Sequence, residues 1–347
     1  MFTLSGAAHA SGTIEQAPTR TVTDALGRTV EIPADPQRIV MPARAVMMIA
    51  NALYMFPGAS ERVVGIGRID QGKGNFLTAI DPHYDRKALF ERAVGPEQIV
   101  SVSPDLAIMK SDARNELGDG LERLGIPVVY VDFETPEQYQ RDLRLLGDVL
   151  GQPDRAEAIA LFYERETAAV VRAVETRGSQ PRTLFLSADL AGAEQVFNVP
   201  PDRWIQTTLV RLAGGEPVWV GANPGGGWAR VGLEQIAAWD PDVITLVAYR
   251  QDVDAVRASL LANPTWNALS AVQTDSLHPF PIDYYSWDQP DVRWILGLKW
   301  LAQTLHGDRF TDVDLAEEIY DFYAFSYGMS REQIDEVIFA TLEGVER

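Results

Sequence analysis

The chain has 347 residues, 46% hydrophobic and 23% charged, which fits two folded domains of about 150 residues each and excludes a small stapled scaffold or a disordered chain. Thirty Lys and Arg against 49 Asp and Glu leave a net charge of −19, which repels phosphate backbones and anionic membranes, so nucleic acid is not an expected partner. The absence of cysteine excludes disulfides, thiolate metal centres and cysteine nucleophiles.

Residues 1–20 read as a flexible leader or the remnant of an export signal. MFTLSGAAHASG lacks a basic start and a long apolar centre, although Ala8-His9-Ala10 has the small-residue spacing of a cleavage site. The densest apolar run, 46–56, is interrupted by Asn51 and falls short of the ~18 residues that a membrane-spanning helix needs. From 21 to 152, β-rich runs at 38–43, 63–66, 106–109 and 127–132 alternate with helical stretches, the pattern of a parallel sheet with helical crossovers.

Residues 153–180 then predict one long amphipathic helix, with Ala156, Ile159, Ala160, Tyr163, Thr167, Val170, Val171 and Val174 spaced at three and four. Pro153 favours its start, Gly178 its cap and Pro181 its end. From 181 to 347 the β-rich runs at 182–188, 242–248 and 276–281 are separated and followed by helical patterns. The predicted fold is α/β, two lobes with central, mainly parallel sheets joined by one long rigid helix.

GPEQIVSVSPDLAIM at 95–109 recurs 137 residues later as GLEQIAAWDPDVITL at 232–246, with Gly, Glu, Gln, Ile, Pro and Asp coinciding. Each copy reads as a short helix opened by Gly, a Pro-Asp turn and a buried strand, pointing to duplication of one lobe architecture. Together with the opening VTDALGRTVEIPADPQRIV (22–40), the central helix and the closing YDFYAFSYGMSREQIDEVI (320–338), the paired copies give the chain its resemblance to class III periplasmic solute-binding proteins. These are receptors of ABC importers for ferric siderophores, haem, cobalamin and, in some members, molybdate or tungstate. The resemblance implies a monomer in the periplasm or at the extracytoplasmic surface, with an ABC permease and its ATPase subunit as partners. It also implies that Glu97 and Glu234, one per lobe, dock with permease arginines. The residues by themselves allow another reading, in which each Glu favours the positive end of its short helix.

Ligands on parallel sheets collect beyond the carboxyl ends of the strands. The candidates there are Arg44, Arg68 and Lys110 in the first half, and Trp228, Arg230, Tyr249, Arg250, Tyr285 and Trp287 in the second. They predict a positive, aromatic-lined cleft. A chelate with acidic groups and an extended surface suits it, and a small oxyanion would use the cations alone. Tyr285 and Trp287 read equally well as plugs at the base of a lobe.

The four histidines, His9, His83, His278 and His306, are dispersed; there is no HExxH and no GxSxG, and no GK[ST] follows Gly225-Gly226-Gly227. No catalytic residue, resident metal or cofactor is expected. The expected function is capture of a metal chelate (ferric siderophore, haem or corrinoid) for delivery to a permease. The alternatives are binding of a small oxyanion, or a hydrolase or sensor on the same two-lobe fold.

Overall fold

The computed structural model describes residues 18–69, 72–175, 180–192 and 195–345. The first element among the described residues is an antiparallel hairpin, β1 (Thr19–Thr23) and β2 (Thr29–Pro33), so Thr19 and Arg20 belong to a strand rather than to the leader. Ala8-His9-Ala10 and the cap residue Gly178 lie outside the described residues.

The first sheet holds β3 (Ile39–Met41), β4 (Val63–Gly67), β5 (Ala88–Phe90), β6 (Leu106–Lys110) and β7 (Val128–Val131), all parallel in the order β5-β4-β3-β6-β7. Every residue of β3, β6 and β7 is buried, which is why these strands read as unbroken apolar runs instead of alternating ones. The second sheet holds β8 (Arg182–Asp189), β9 (Val196–Val199), β10 (Glu216–Pro217), β11 (Ala229–Val231), β12 (Val243–Val247) and β13 (Leu277–Pro279). Its order is β11-β9-β8-β12-β13 with β10 on β8, and β9 and β11 run antiparallel to their neighbours. The short strands β5, β9 and β11 hold only three or four residues each, and none is fully buried along its length, so too short a stretch marks them in the sequence.

The sequence repeat is a repeat of hydrogen bonds as well. Asp105 accepts from the backbone N–H of Gln37 (2.8 Å) and Arg38 (3.0 Å), while Asp242 accepts from that of Arg182 (2.8 Å). The Arg38 guanidinium donates to the carbonyls of Val102 and Ser103, and the Arg182 guanidinium to those of Trp239 and Asp240, the residues 137 positions on. Ser103 (φ 49°) and Asp240 (φ 44°) are both left-handed, so each short helix ends in the same turn before its strand. Each Pro-Asp turn thus pins the start of a central strand to that of its neighbour, β6 to β3 in one lobe and β12 to β8 in the other.

The connecting helix spans Pro153–Val174, 22 residues, or about 33 Å at ~1.5 Å per residue. It packs against helix Pro136–Leu150, where Gly147 is needed because a Cβ there would stand 2.3 Å from the Ala156 Cβ. A second junction lies at 283–293. Asn51 Nδ2 donates to Asp291 Oδ2, Tyr139 Oη to the Pro290 carbonyl (2.9 Å) and Tyr163 Oη to the Val292 carbonyl (2.6 Å). Arg293 pairs with both Asp283 (2.8 Å) and Asp291 (2.7 Å), all three side chains being fully buried. The helix Leu315–Tyr327 closes over this junction, Tyr327 Oη donating to the Asn51 carbonyl (3.1 Å).

Candidate functional site

A cavity of about 960 Å³ lies between the lobes. It opens where parallel strands end, as open α/β sheets arrange their ligands. From the first sheet, β6 delivers Lys110, and the turn after β7 delivers Glu134. That turn is strained: Phe133 has φ 53°, held by the buried Asp142 carboxylate, which accepts from the N–H of Asp132 (2.7 Å) and Phe133 (2.9 Å). Ala45, also left-handed at φ 55°, lines the cavity at the start of helix Val46–Leu53. Non-glycine residues in this region cost stability and concentrate where loops must hold a set position.

The second lobe supplies an aromatic wall. Trp228 stacks on Phe185 (6.3 Å, 26°), meets Trp204 edge-on (5.5 Å, 87°) and lies 6.0 Å from Tyr249. Behind the wall sits Asp288, fully buried, whose carboxylate accepts from Tyr249 Oη (2.6 Å), Gln206 Nε2 (3.0 Å) and Ser286 Oγ. Burial pushes the Asp288 carboxyl up, against the pull of these three donors. Tyr249 is pushed well above its usual range by its own burial and by the Asp288 charge, so the phenol keeps its proton.

Of the nine residues expected at the ligand, the structure brings Lys110, Trp228, Tyr249 and Arg250 together in this cavity. Their cations are already paired. Lys110 donates to the Asp132 carbonyl and pairs with Glu134, and Arg250, its side chain 83% exposed, pairs with Asp189 (2.6 Å). Arg92, Lys110 and Arg250 face Asp112, Glu134 and Asp189 around the cavity, so its lining is charge-balanced rather than positive.

Arg44 and Arg68 line a separate pocket of about 110 Å³ at the rim, where Arg44 meets Glu116 (3.6 Å) and Arg68 meets Glu91 (2.5 Å). Arg230 is exposed on β11, outside the cavity lining. Tyr285 and Trp287 are fully buried, and Trp287 Nε1 donates to Asp283 Oδ2 (3.0 Å); they plug the interlobe junction because the 283–293 segment turns inward there. Sequence reasoning missed Arg92, Asn198, Trp204 and Gln206, which also line the cavity. Asn198 lies on the unforeseen strand β9, and Trp204 precedes a helix whose start carries no side-chain cap, so the sequence gives little signal for either.

Glu97 and Glu234 are both exposed, each the second residue of its short helix after Gly95 (φ −87°, ψ 158°) and Gly232 (φ −97°, ψ 164°). Asp252, Asp254 and Glu343 bring carboxylate oxygens within 4.8 Å of one another. Lys73 pairs with Glu343 and is drawn upward in pKa by Asp252 and Asp254, although its burial lowers it more. An ammonium thus supplies the counter-charge of that cluster.

Residues 53–278 match the periplasmic binding protein family. The chain belongs to that family. Its two lobes on a single connecting helix make it a class III solute-binding protein. It is 24% identical over 331 residues to the molybdate-binding protein MolA of Haemophilus influenzae, covering 90% of this chain and 92% of that protein. It is 26% identical over 233 residues to the vitamin B12-binding protein of Yersinia pseudotuberculosis, covering 63% of this chain and 80% of that one. Among solved structures, a periplasmic solute binding protein from Veillonella parvula superposes with a TM-score of 0.73 at 24% identity, covering 93% of this chain and 97% of the other.

Proposed function

We propose that this solute-binding protein captures a metal chelate in the interlobe cavity and delivers it, chemically unchanged, to an ABC permease from the periplasm. The observation that carries the choice of ligand is the cavity itself: about 960 Å³ with Trp204, Trp228 and Tyr249 on one wall. That volume stands at the upper end of the roughly 300–1,000 Å³ of small-molecule pockets. A tetrahedral oxyanion would fill a small part of it and would meet cations that Glu134 and Asp189 already neutralise.

A thermal-shift panel of ferric chelates, haem, a corrinoid, molybdate and tungstate tests this reading. A cognate ligand at about a thousand times its Kd adds about 4 kcal/mol to stability, so a chelate should raise the melting temperature clearly. Stabilisation by molybdate or tungstate alone would overturn the chelate in favour of the oxyanion.

Glu97 and Glu234 are the proposed docking pair. Their matched places on related lobes let a pseudo-twofold receptor address a twofold permease with two like contacts. The boundaries proposed for the lobes are 21–152, extended to include the strand residues Thr19 and Arg20, and 181–347, with 153–180 between them.

A further inference from the structure

We propose that Asp288 fixes the orientation of the Gln206 amide beside the cavity's aromatic wall, so that its carbonyl is offered as an acceptor to an N–H or O–H donor of the ligand. This deepens the ligand reading above and rests on the interlobe cavity being the ligand site. An ionised carboxylate only accepts hydrogen bonds. The Asp288 carboxylate therefore accepts one hydrogen bond each from Ser286 Oγ, Tyr249 Oη and Gln206 Nε2.

Tyr249 and Gln206 both line the cavity, and both spend a donor on the residue behind them. The Gln206 carbonyl is the acceptor left beside them, while the second Gln206 N–H and the Trp228 indole N–H remain as donors. Gln206 is 4% exposed, and its Oε1 has no hydrogen-bond partner among the described residues. Gln289, also on the cavity, has a buried Oε1 in the same condition. A buried carbonyl without a partner is uncommon in a folded protein and is satisfied by whatever donor fills the space beside it. Because the carboxylate cannot donate, the Gln206 amide cannot turn over without losing its bond to Asp288. Its carbonyl is held in place as an acceptor.

The ligand class this selects bears carboxamide or hydroxyl groups beside a flat surface that packs on Trp228. A bare oxyanion, which offers only acceptors, leaves that carbonyl unsatisfied. Asp288 is a positioning residue: it touches the ligand only through Gln206 and Tyr249. Asp288→Asn keeps the shape and supplies an N–H to this cluster, which lets the Gln206 amide turn its own N–H toward the cavity.

The probes are benzamide, which donates and accepts, and N,N-dimethylbenzamide, which only accepts. Both are titrated against the full chain at pH 8 while the Trp228 indole N–H resonance is followed. The expected result is benzamide binding more tightly by about fivefold, the factor of one net hydrogen bond, with that preference abolished or reversed in Asp288→Asn. Gln206→Met, which removes the acceptor and leaves the Asp288–Tyr249 bond, should abolish it as well and carries the test if Asp288→Asn fails to fold. Equal affinity of the two probes for the unaltered protein overturns the acceptor wall while leaving the cavity as the ligand site. So does an equal loss of both probes in the variants, which is what a merely structural residue would give. No shift of the resonance with either probe overturns the wall and the cavity together.

Discussion

Trp228 and Arg230 are two residues apart, yet the structure gives them different work. Trp228 packs among Phe185, Trp204 and Tyr249 at the cavity, whereas Arg230 is exposed and outside its lining. Trp228→Ala should therefore weaken ligand binding by about 2 kcal/mol or more, the scale of a buried aromatic anchor, and Arg230→Ala should leave it unchanged in isothermal titration. Asp288 gives a pH prediction. Its carboxyl is raised by burial, so the folded protein holds that proton more tightly than the unfolded chain does. Stability then falls as pH rises from the unfolded value of about 3.9 through the raised folded one. Asp288→Asn removes this contribution, and its melting temperature should decline less across that window than the parent's. Four of the nine residues expected at strand ends line the cavity, but the pairing of the cations was invisible in the sequence. Glu134 lies 24 positions from Lys110 and Asp189 lies 61 from Arg250, so only the folded sheets show that the cations arrive neutralised.

At the level of elements, seven of the sheet strands and the connecting helix were legible; complete burial gives β3, β6 and β7 unbroken apolar runs, and an amphipathic helix keeps its spacing. The hairpin strands, five residues each, and the shorter β5, β9 and β11 were not, since so few residues carry too little period to stand out. The repeat was legible in full, and its mechanism is specific: Asp105 and Asp242 pin the starts of neighbouring strands. Asp105→Ala and Asp242→Ala should each lower stability in urea unfolding by about 1–3 kcal/mol through lost charge-assisted bonds to backbone N–H. Ligand affinity should stay unchanged, because both turns lie at the opposite end of the strands from the cavity. Tyr285 and Trp287 of the run DYYSWDQP, both expected at the ligand, are instead buried at the interlobe junction, where Asp283 of the same run and Asp291 pair with Arg293. Nothing in the run itself distinguishes a residue facing the cavity from one facing the junction, and only its inward turn decides.

For the whole molecule, the helix Pro153–Val174 and the junction at 283–293 tie the lobes at two places, one covalent and one through buried hydrogen bonds and ion pairs. Few backbone torsions remain free to act as a hinge. Small-angle scattering with and without ligand should show little change in radius of gyration, and a contraction of several ångströms would contradict two-point anchoring. Reversing both Glu97 and Glu234 to Lys should abolish uptake while leaving ligand affinity intact; normal uptake with a slightly lowered melting temperature would assign them to their helix ends alone. The most direct measurement is native mass spectrometry of the protein purified gently from its own host. The expected spectrum shows one bound molecule per chain with a metal's isotope pattern and a mass beyond that of any simple oxyanion, and a spectrum showing bound molybdate or tungstate would contradict capture of a chelate.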